Sequence, residues 1–350
     1  MKTETVSAIR DPGGPLPVSA SPLRDKHPAA VERAVELLRK GEVVALPTET
    51  VYGLAADALN PVAVAKIFEA KERPGFDPLI VHLPDKQWLE RLAKIDNRSR
   101  VQVEKLITQF WPGPLTLVLD RQAIIPEIVT AGLHTVAVRM SSHPVLAEII
   151  SAFGKPLAAP SANRFGRVSP TTAQHVFDEL SGSIPLIIDA GPTKHGIEST
   201  IIAVRGDEID ILRRGPITAE QLAEFGRINI VGAPKTISVP GQLPLHYAPE
   251  TPLRLIDNAE SFVPMENRRV GLLAWSALIP KEKFAAVRSL SERRDLRVAA
   301  ANLFRCLREL DELELDLIVA ERVPAQGLGA AILDRLERAS HRSDVQDTRE

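Results

Sequence analysis

The strongest constraint on this chain is the alternation, from residue 28 onwards, of short apolar runs with stretches of helical periodicity. A short aliphatic run bounded by turn residues reads as a strand buried on both faces. EVVALP (42–47), LIVHL (79–83), LTLVLD (115–120), TVAVRM (135–140), PLAAP (156–160), PLIID (185–189), STIIAV (199–204) and IDILR (209–213) fit that pattern. Helical spacing appears near 61–70, 85–94, 98–110, 143–153 and 171–180. A further helix opens at Pro28, a residue suited to the first helical position. Val31, Ala34, Val35 and Leu38 form its apolar face, and Gly41 stops it. Several strands follow one another with no helix between them, so the expected fold class is α/β with a mixed, twisted open sheet.

The 350 residues exceed the usual size of one domain, and the pattern divides accordingly. Residues 1–27 are rich in Pro, Gly and Ser and read as a flexible leader. Residues 28–215 hold the main α/β pattern. A linker is expected from 216 to 252, where GAPKTISVPGQLPLHYAPETP carries five prolines and little periodicity. LRLID (253–257), RRVGLLAW (268–275) and LDLIVAE (315–321) then alternate with helical stretches, including one near 298–313. They predict a smaller, Rossmann-like α/β domain over 253–342.

Composition removes several functions. With 43 Lys and Arg against 45 Asp and Glu, and neither half basic, a tight grip on long nucleic acid is disfavoured. Aromatics at 4% are too few for a stacking surface. The single Cys306 excludes an intrachain disulfide and a Cys-rich zinc site. No long apolar segment or signal sequence is visible, so the expectation is a cytoplasmic protein with no membrane contact. There is no Walker loop, no H-E-x-x-H and no G-x-S-x-G. GLGAAI (327–332) lacks a third glycine and reads as a helix-capping turn rather than a dinucleotide site.

Four polar clusters stand at the ends of otherwise apolar runs. In PTETVYGLAAD (47–57), Thr48, Glu49 and Thr50 either cap a turn or face a ligand. In KERPGFDP (71–78), Lys71 and Arg73 sit two apart in a Pro-restricted segment expected to be extended, which would aim both cations at one polyanion. PSANRFGRVSPTT (160–172) offers Ser161, Asn163 and, at the expected start of a helix, Ser169. HGIESTII (195–202) again sets polar residues before a buried strand. Arg139 lies inside a strand and Arg213 ends another, and a buried arginine needs an anionic partner, from the protein or from a ligand. These clusters contain hydroxyls and cations but no nucleophile–base pair, which suits catalysis by position and charge.

In their order, PTETVYGLAAD, KERP followed by PLIVH, WPGPLT (111–116), TVAVRM, APSAN with a downstream SPT, and GIESTII resemble the YrdC-like threonylcarbamoyl-AMP synthases over residues 28–215. HYAP (246–249) and GLGAAILDRL (327–336) resemble the linker and second domain of the longer Sua-type members. The resemblance implies a YrdC-like sheet with a concave cleft, in which L-threonine, bicarbonate and ATP yield threonylcarbamoyl-AMP and pyrophosphate. Mg²⁺ would accompany ATP, and a separate transferase would pass the product to tRNA without stable tRNA binding here. It also implies that Thr50, His82, Arg139, Ala159 and Ser199 contact threonine, and that Lys71 and Arg73 are catalytic. Arg73, Asp77, Thr135, Ser161, Asn163, Ser169, Arg213 and Tyr247 would surround ATP, with Tyr247 folding back over the nucleotide. Asp77 stands where many relatives have His or Asn, and near phosphates it needs Lys71 or a metal to offset it. The resemblance identifies no metal ligands. The runner-up is a non-catalytic RNA-binding protein using the same cleft, which steep salt-dependent tRNA affinity without ATP would support. A carbamoyl-transfer enzyme of the hydrogenase-maturation type would need zinc-finger modules that one cysteine cannot supply.

Overall fold

The architecture is taken from a computed structural model that describes residues 1–9, 28–232, 239–240, 246–264, 267–276 and 281–347. The first elements are β1 (Glu4–Ser7), α1 (Pro28–Arg39), β2 (Val44–Leu46), β3 (Gly53–Asp57), α2 (Pro61–Lys71) and β4 (Ile80–His82). Next come α3 (Trp88–Leu92), β5 (Ala93–Lys94), α4 (Arg100–Phe110), β6 (Leu115–Arg121), α5 (Glu127–Thr130) and β7 (Thr135–Arg139). The large unit closes with α6 (Pro144–Phe153), β8 (Leu157–Ala158), α7 (Ala173–Leu180), β9 (Leu186–Asp189), β10 (Thr200–Arg205), β11 (Glu208–Arg213), α8 (Ala219–Leu222) and β12 (Arg227–Ile230).

These strands form one mixed sheet in the order β1-β9-β2-β3-β8-β4-β7-β6-β10-β11-β12, with β5 paired beside β6. β2 with β3, β6 with β7 and β10 with β11 are antiparallel, whereas β4 with β7 and β6 with β10 are parallel. The mixed sheet is therefore as expected; its central strands β2, β3, β4 and β8 are buried on both faces, whereas β1 and β12 at its edges are largely exposed. One layer of core packs Tyr52, Ile67, Leu106 and Leu117 on one side. On the other, Leu38, Leu46, Ile149 and Leu157 bring α1 and α6 onto the sheet. The helix signals act as the sequence suggests: Asn60 Oδ1 caps α2 from Val62 N and Ala63 N, and Pro144 and Gly154 bracket α6.

Five short strands were not expected: β3 follows the polar cluster at 48–50, β5 falls within the helix expected over 85–94, and β1, β12 and, in the second unit, β15 (Ala286–Ser289) lie at sheet edges. Structure begins before Pro28, because β1 pairs in parallel with β9 and Thr3 Oγ1 donates to the Ile184 carbonyl at 2.6 Å. Residues 10–27 of the expected leader lie outside the described residues. β12, inside the expected linker, adds an edge strand parallel to β11. In the second unit, β15 is also new. That unit holds β13 (Leu253–Ile256), β14 (Val270–Ala274), β15 (Ala286–Ser289), α9 (Leu296–Asp311), β16 (Leu317–Glu321) and α10 (Leu328–Asp347). Its small sheet, β13-β16-β14-β15, is parallel throughout. GLGAAI opens α10 as a capping turn, with Gly327 N donating to Glu220 Oε1 at 3.3 Å.

The two units share a core. Val51, Val168 and Ile197 from the large unit pack with Tyr247 and with Leu303, Phe304 and Leu307 of α9. At the same seam Gly196 has φ +69°, and a Cβ there would stand 2.5 Å from the backbone of Ala300 and Ala301. Gly196→Ala is expected to destabilise by about 3 kcal/mol, since strain and overpacking combine. Gly191→Ala, also left-handed at φ +79° but facing open space, should cost only about 1 kcal/mol. Thermal melts of the two variants compare these effects, and equal losses would mean that contact with α9 is not what requires glycine at 196.

Candidate active site

The topology brings several strand ends to one edge of the large sheet. β4 and β7 run parallel with His82 opposite Arg139, so both side chains emerge together at their C-terminal ends. β6 and β10 run the other way relative to β7, so the residues just before them, including Ser199, reach the same edge. β11, antiparallel to β10, returns Arg213 to it. A concave cleft opens there, lined by Thr50, Arg73, His82, Arg139, Ala159, Ser161, Ser199, Arg213 and Tyr247 among others. All nine were expected site residues.

Arg139 anchors one end. Its Nη2 pairs with Glu49 Oε1 at 2.7 Å, its Nη1 donates to Thr50 Oγ1 at 3.1 Å, and its Nε donates to the Gly113 carbonyl at 3.3 Å. Ser141 Oγ donates to the second oxygen of Glu49. Burial alone would raise the Glu49 carboxyl, but Arg139 and Ser141 outweigh it and hold it down at about 2. Thr48 Oγ1 accepts from Thr50 N at 3.0 Å and from Val51 N at 3.2 Å, which folds the 48–51 turn and fixes Thr50. Burial, with Arg139 beside it, pushes His82 down to about 3, so its ring is neutral.

Arg213 anchors the other end. Its Nη2 donates to Ser199 Oγ at 3.0 Å and its Nε to the Ser199 carbonyl at 3.1 Å, while Ser199 Oγ also meets Thr116 Oγ1 at 2.8 Å. Tyr247, buried with φ 64°, stacks on Phe304 at a centroid distance of 5.5 Å. Its phenol, pushed up to about 12 by burial and then Glu198, stays protonated.

Five expected site residues lie elsewhere. Lys71 ends α2, and Glu72 follows in the left-handed region at φ 52°, so the K-x-R segment is not extended. The Lys71 ammonium is buried behind the cleft, where it donates to the Ser161 carbonyl at 2.6 Å and to the Asn163 carbonyl. Asn163 is itself buried and ties its Nδ2 to the Arg164 and Arg167 carbonyls. Asp77 pairs directly with Arg73 at 2.8 Å, and Lys71 acts on it at longer range. Ser169 does not open a helix, since Thr172 caps α7; its hydroxyl donates to Glu198 Oε1 at 2.5 Å. Thr135 begins β7, at the end of the strand opposite Arg139 and about 13 Å away along it. It is not among the residues that line the cleft.

The sequence reading passed over Glu49 as an arginine partner, as well as Glu198, His246 and Arg335. HGIEST offered Glu198 as one of its polar residues, but nothing local named its partner. Among the described residues no three His, Cys, Asp or Glu side chains are placed to hold a metal. The carboxylates around the cleft, Glu49, Asp77 and Glu198, each face an arginine instead. The residues present do not make a resident Mg²⁺ site.

Known proteins show where this fold and sequence belong. Residues 36–215 match the family described as telomere recombination, and residues 217–341 match the threonylcarbamoyl-AMP synthase C-terminal domain. Threonylcarbamoyl-AMP synthase of Bacillus subtilis is 42% identical over 325 residues, covering 89% of this chain and 92% of the relative. The crystal structure of Pyrococcus abyssi Sua5 complexed with L-threonine superposes with a TM-score of 0.80 at 37% identity, covering 89% of this chain and 94% of that one. The chain belongs to the two-domain threonylcarbamoyl-AMP synthases. These are nucleotidyltransferases that serve the threonylcarbamoyladenosine modification of tRNA. Threonylcarbamoyl-AMP synthases of Schizosaccharomyces pombe share 36% identity over 364 residues with this chain, so the family relation spans domains of life. Among the described residues no helix is long and apolar enough to cross a membrane.

The Glu49–Arg139 pair makes a stability prediction. A carboxyl held at about 2, against an ordinary 4.5, contributes stability that is present above about 4.5 and lost as pH falls towards 2. The shift corresponds to about 3 kcal/mol. Glu49→Gln should therefore flatten the loss of stability between pH 4.5 and 2. Denaturant melts across that window check it, and an unchanged slope would remove Glu49 as the titrating group.

Proposed function

We propose that this cleft condenses L-threonine, bicarbonate and ATP to threonylcarbamoyl-AMP and pyrophosphate, with threonine at the Arg139 end and the triphosphate between Arg73 and Arg213. The observation that carries the reading is the convergence of three buried arginines and several hydroxyls in one cleft that offers no Ser, Cys or Lys nucleophile with a paired base. The Arg139 guanidinium, oriented by Glu49, pairs the threonine carboxylate, while Thr50, neutral His82, Ser199 and the Ala159 backbone frame the amino acid.

The threonine amine and bicarbonate form a carbamate with loss of water. A carbamate oxygen attacks the ATP α-phosphorus, the bond to the β-phosphate oxygen breaks, and pyrophosphate leaves with the electron pair. Nucleophile and electrophile are both anionic, so the protein's task is neutralisation and alignment. Arg73 and Arg213 supply the charge, and Ser161 adds a donor in the same wall. Lys71 fixes the 161–163 turn from behind, a positioning role. Mg²⁺ arrives as part of the MgATP substrate. Tyr247 and His246 cover the cleft and limit hydrolysis of the carbamate and the mixed anhydride. The product passes to a separate tRNA transferase in the cytoplasm, and the protein itself holds no tRNA stably.

The test is pyrophosphate release from ATP, which should require both threonine and bicarbonate; equal release without threonine refutes the reading. Arg139→Ala should raise the KM for threonine ten- to a hundredfold, the loss of a charge-assisted contact of about 1.5–3 kcal/mol, with little change in the KM for ATP. Because His82 stays neutral above about pH 3, His82→Asn should leave the shape of the rate profile between pH 5 and 8 unchanged. A limb near pH 6.5 that disappears in the variant would give His82 a proton-transfer role.

A further inference from the structure

Arg335 is the largest of the completely buried side chains among the described residues. It projects from α10 of the second domain across the seam to the catalytic cleft. Its Nε and Nη2 both lie 3.1 Å from Glu198 Oε2, and its Nη1 lies 3.0 Å from Asp334 Oδ2. Glu198 lines the cleft immediately before Ser199, the residue that Arg213 grips by both hydroxyl and carbonyl. The other oxygen of Glu198 accepts from Ser169. The same guanidinium lies 5.4 Å from the centre of the Tyr247 ring, on the face of the residue that covers the cleft.

The charges around the cleft give this contact its meaning. Arg73 is offset by Asp77 and Arg139 by Glu49. Arg213 is the cleft arginine with no ion pair to a carboxylate among the described residues; its nitrogens donate to Ser199 and, at 3.4 Å, to the Pro240 carbonyl, so its charge is not offset by a direct partner. An uncompensated Glu198 one residue from Ser199 would cancel that charge and repel a triphosphate. Its desolvated carboxylate cannot be relieved by water, because it is almost wholly buried. Among the described residues, the cation paired with it comes from the second domain.

We propose that Arg335 is a positioning residue for ATP: the second domain supplies the charge that neutralises Glu198 and so keeps Arg213 available to the triphosphate. The inference rests on the placement of the phosphates by Arg213 proposed above. It gives the C-terminal domain an electrostatic task in the reaction, distinct from holding the linker.

The experiment is steady-state pyrophosphate release by the full chain, with ATP and threonine varied separately, for Arg335→Met, Glu198→Gln, the double variant, and Arg213→Ala as control. Arg335→Met should raise the KM for ATP at least tenfold and change that for threonine less than twofold. Adding Glu198→Gln, which removes the orphaned charge, should recover most of that loss. A double variant as defective as Arg335→Met, or a single variant that affects both substrates equally, overturns the inference and leaves Arg335 a packing residue. If Arg335→Met does not fold, judged by circular dichroism, ATP titration of Glu198→Gln decides: a lower Kd than wild type supports the proposal, and an equal or higher one overturns it. Arg213→Ala separates the two levels. If it leaves the KM for ATP unchanged, the phosphate placement itself is wrong; if it raises that KM while Arg335→Met does not, only the present inference fails.

Discussion

Pairing of buried charge is the constraint on which this active site depends. Arginines placed at strand ends beside a hydrophobic sheet cannot remain there alone, because removing one partner of a buried pair costs about 3–5 kcal/mol. Glu49, whose second oxygen accepts from Ser141, therefore has to meet Arg139, and Asp77 has to meet Arg73. The turns at 48–51 and 73–78 are shaped by that requirement: Thr48 closes the first, and the Asp77 and Pro78 carbonyls accept from Arg73 in the second. What remains after pairing is a cleft whose surplus positive charge is small and localised. That is a better receptor for one small polyanion than a broad basic surface would be.

The mixed sheet makes such a cleft affordable in chain length. In a wholly parallel sheet only the C-terminal ends of strands share an edge. Here β4 and β7 finish where β6 and β10 begin and where β11 returns, so five strands contribute to one rim. Residues 82, 139, 199 and 213 come together without long loops, and rigid elements rather than loop tips set the distances between them.

Much of this was legible in the sequence. Polar residues that interrupt aliphatic runs marked Thr50, Arg139 and Arg213, because a strand end is where a buried backbone can present a side chain to a cavity, while His82 and Ser199 came from the resemblance alone. Motif resemblance then supplied roles that no single cluster could. The failures share a cause. Thr135 and Arg139 lie on one strand, and a segment cannot reveal which of its ends faces the cleft. Lys71 and Arg73 seemed extended because Pro74 restricts its predecessor, yet the α2 helix runs through Lys71 and Glu72 turns left-handed to end it. β1, β12 and β15 escaped notice because short edge strands carry little alternation, and the partner of β1 is far away in sequence; β3 and β5 lay within segments read as a polar cluster and a helix. Glu198 could be seen, but Arg335, 137 residues away, could not be linked to it.

That separation also orders events in time. Contacts between residues far apart in sequence pay the largest loop-closure entropy and are made late in folding. The large sheet, including β10 next to Glu198, can assemble from contacts within residues 28–230, whereas the guanidinium of Arg335 arrives only when α9 and α10 dock on Val51, Val168 and Ile197. The pairing of every carboxylate at the pocket is therefore a property of the whole chain, because the large sheet alone does not contain the partner of Glu198.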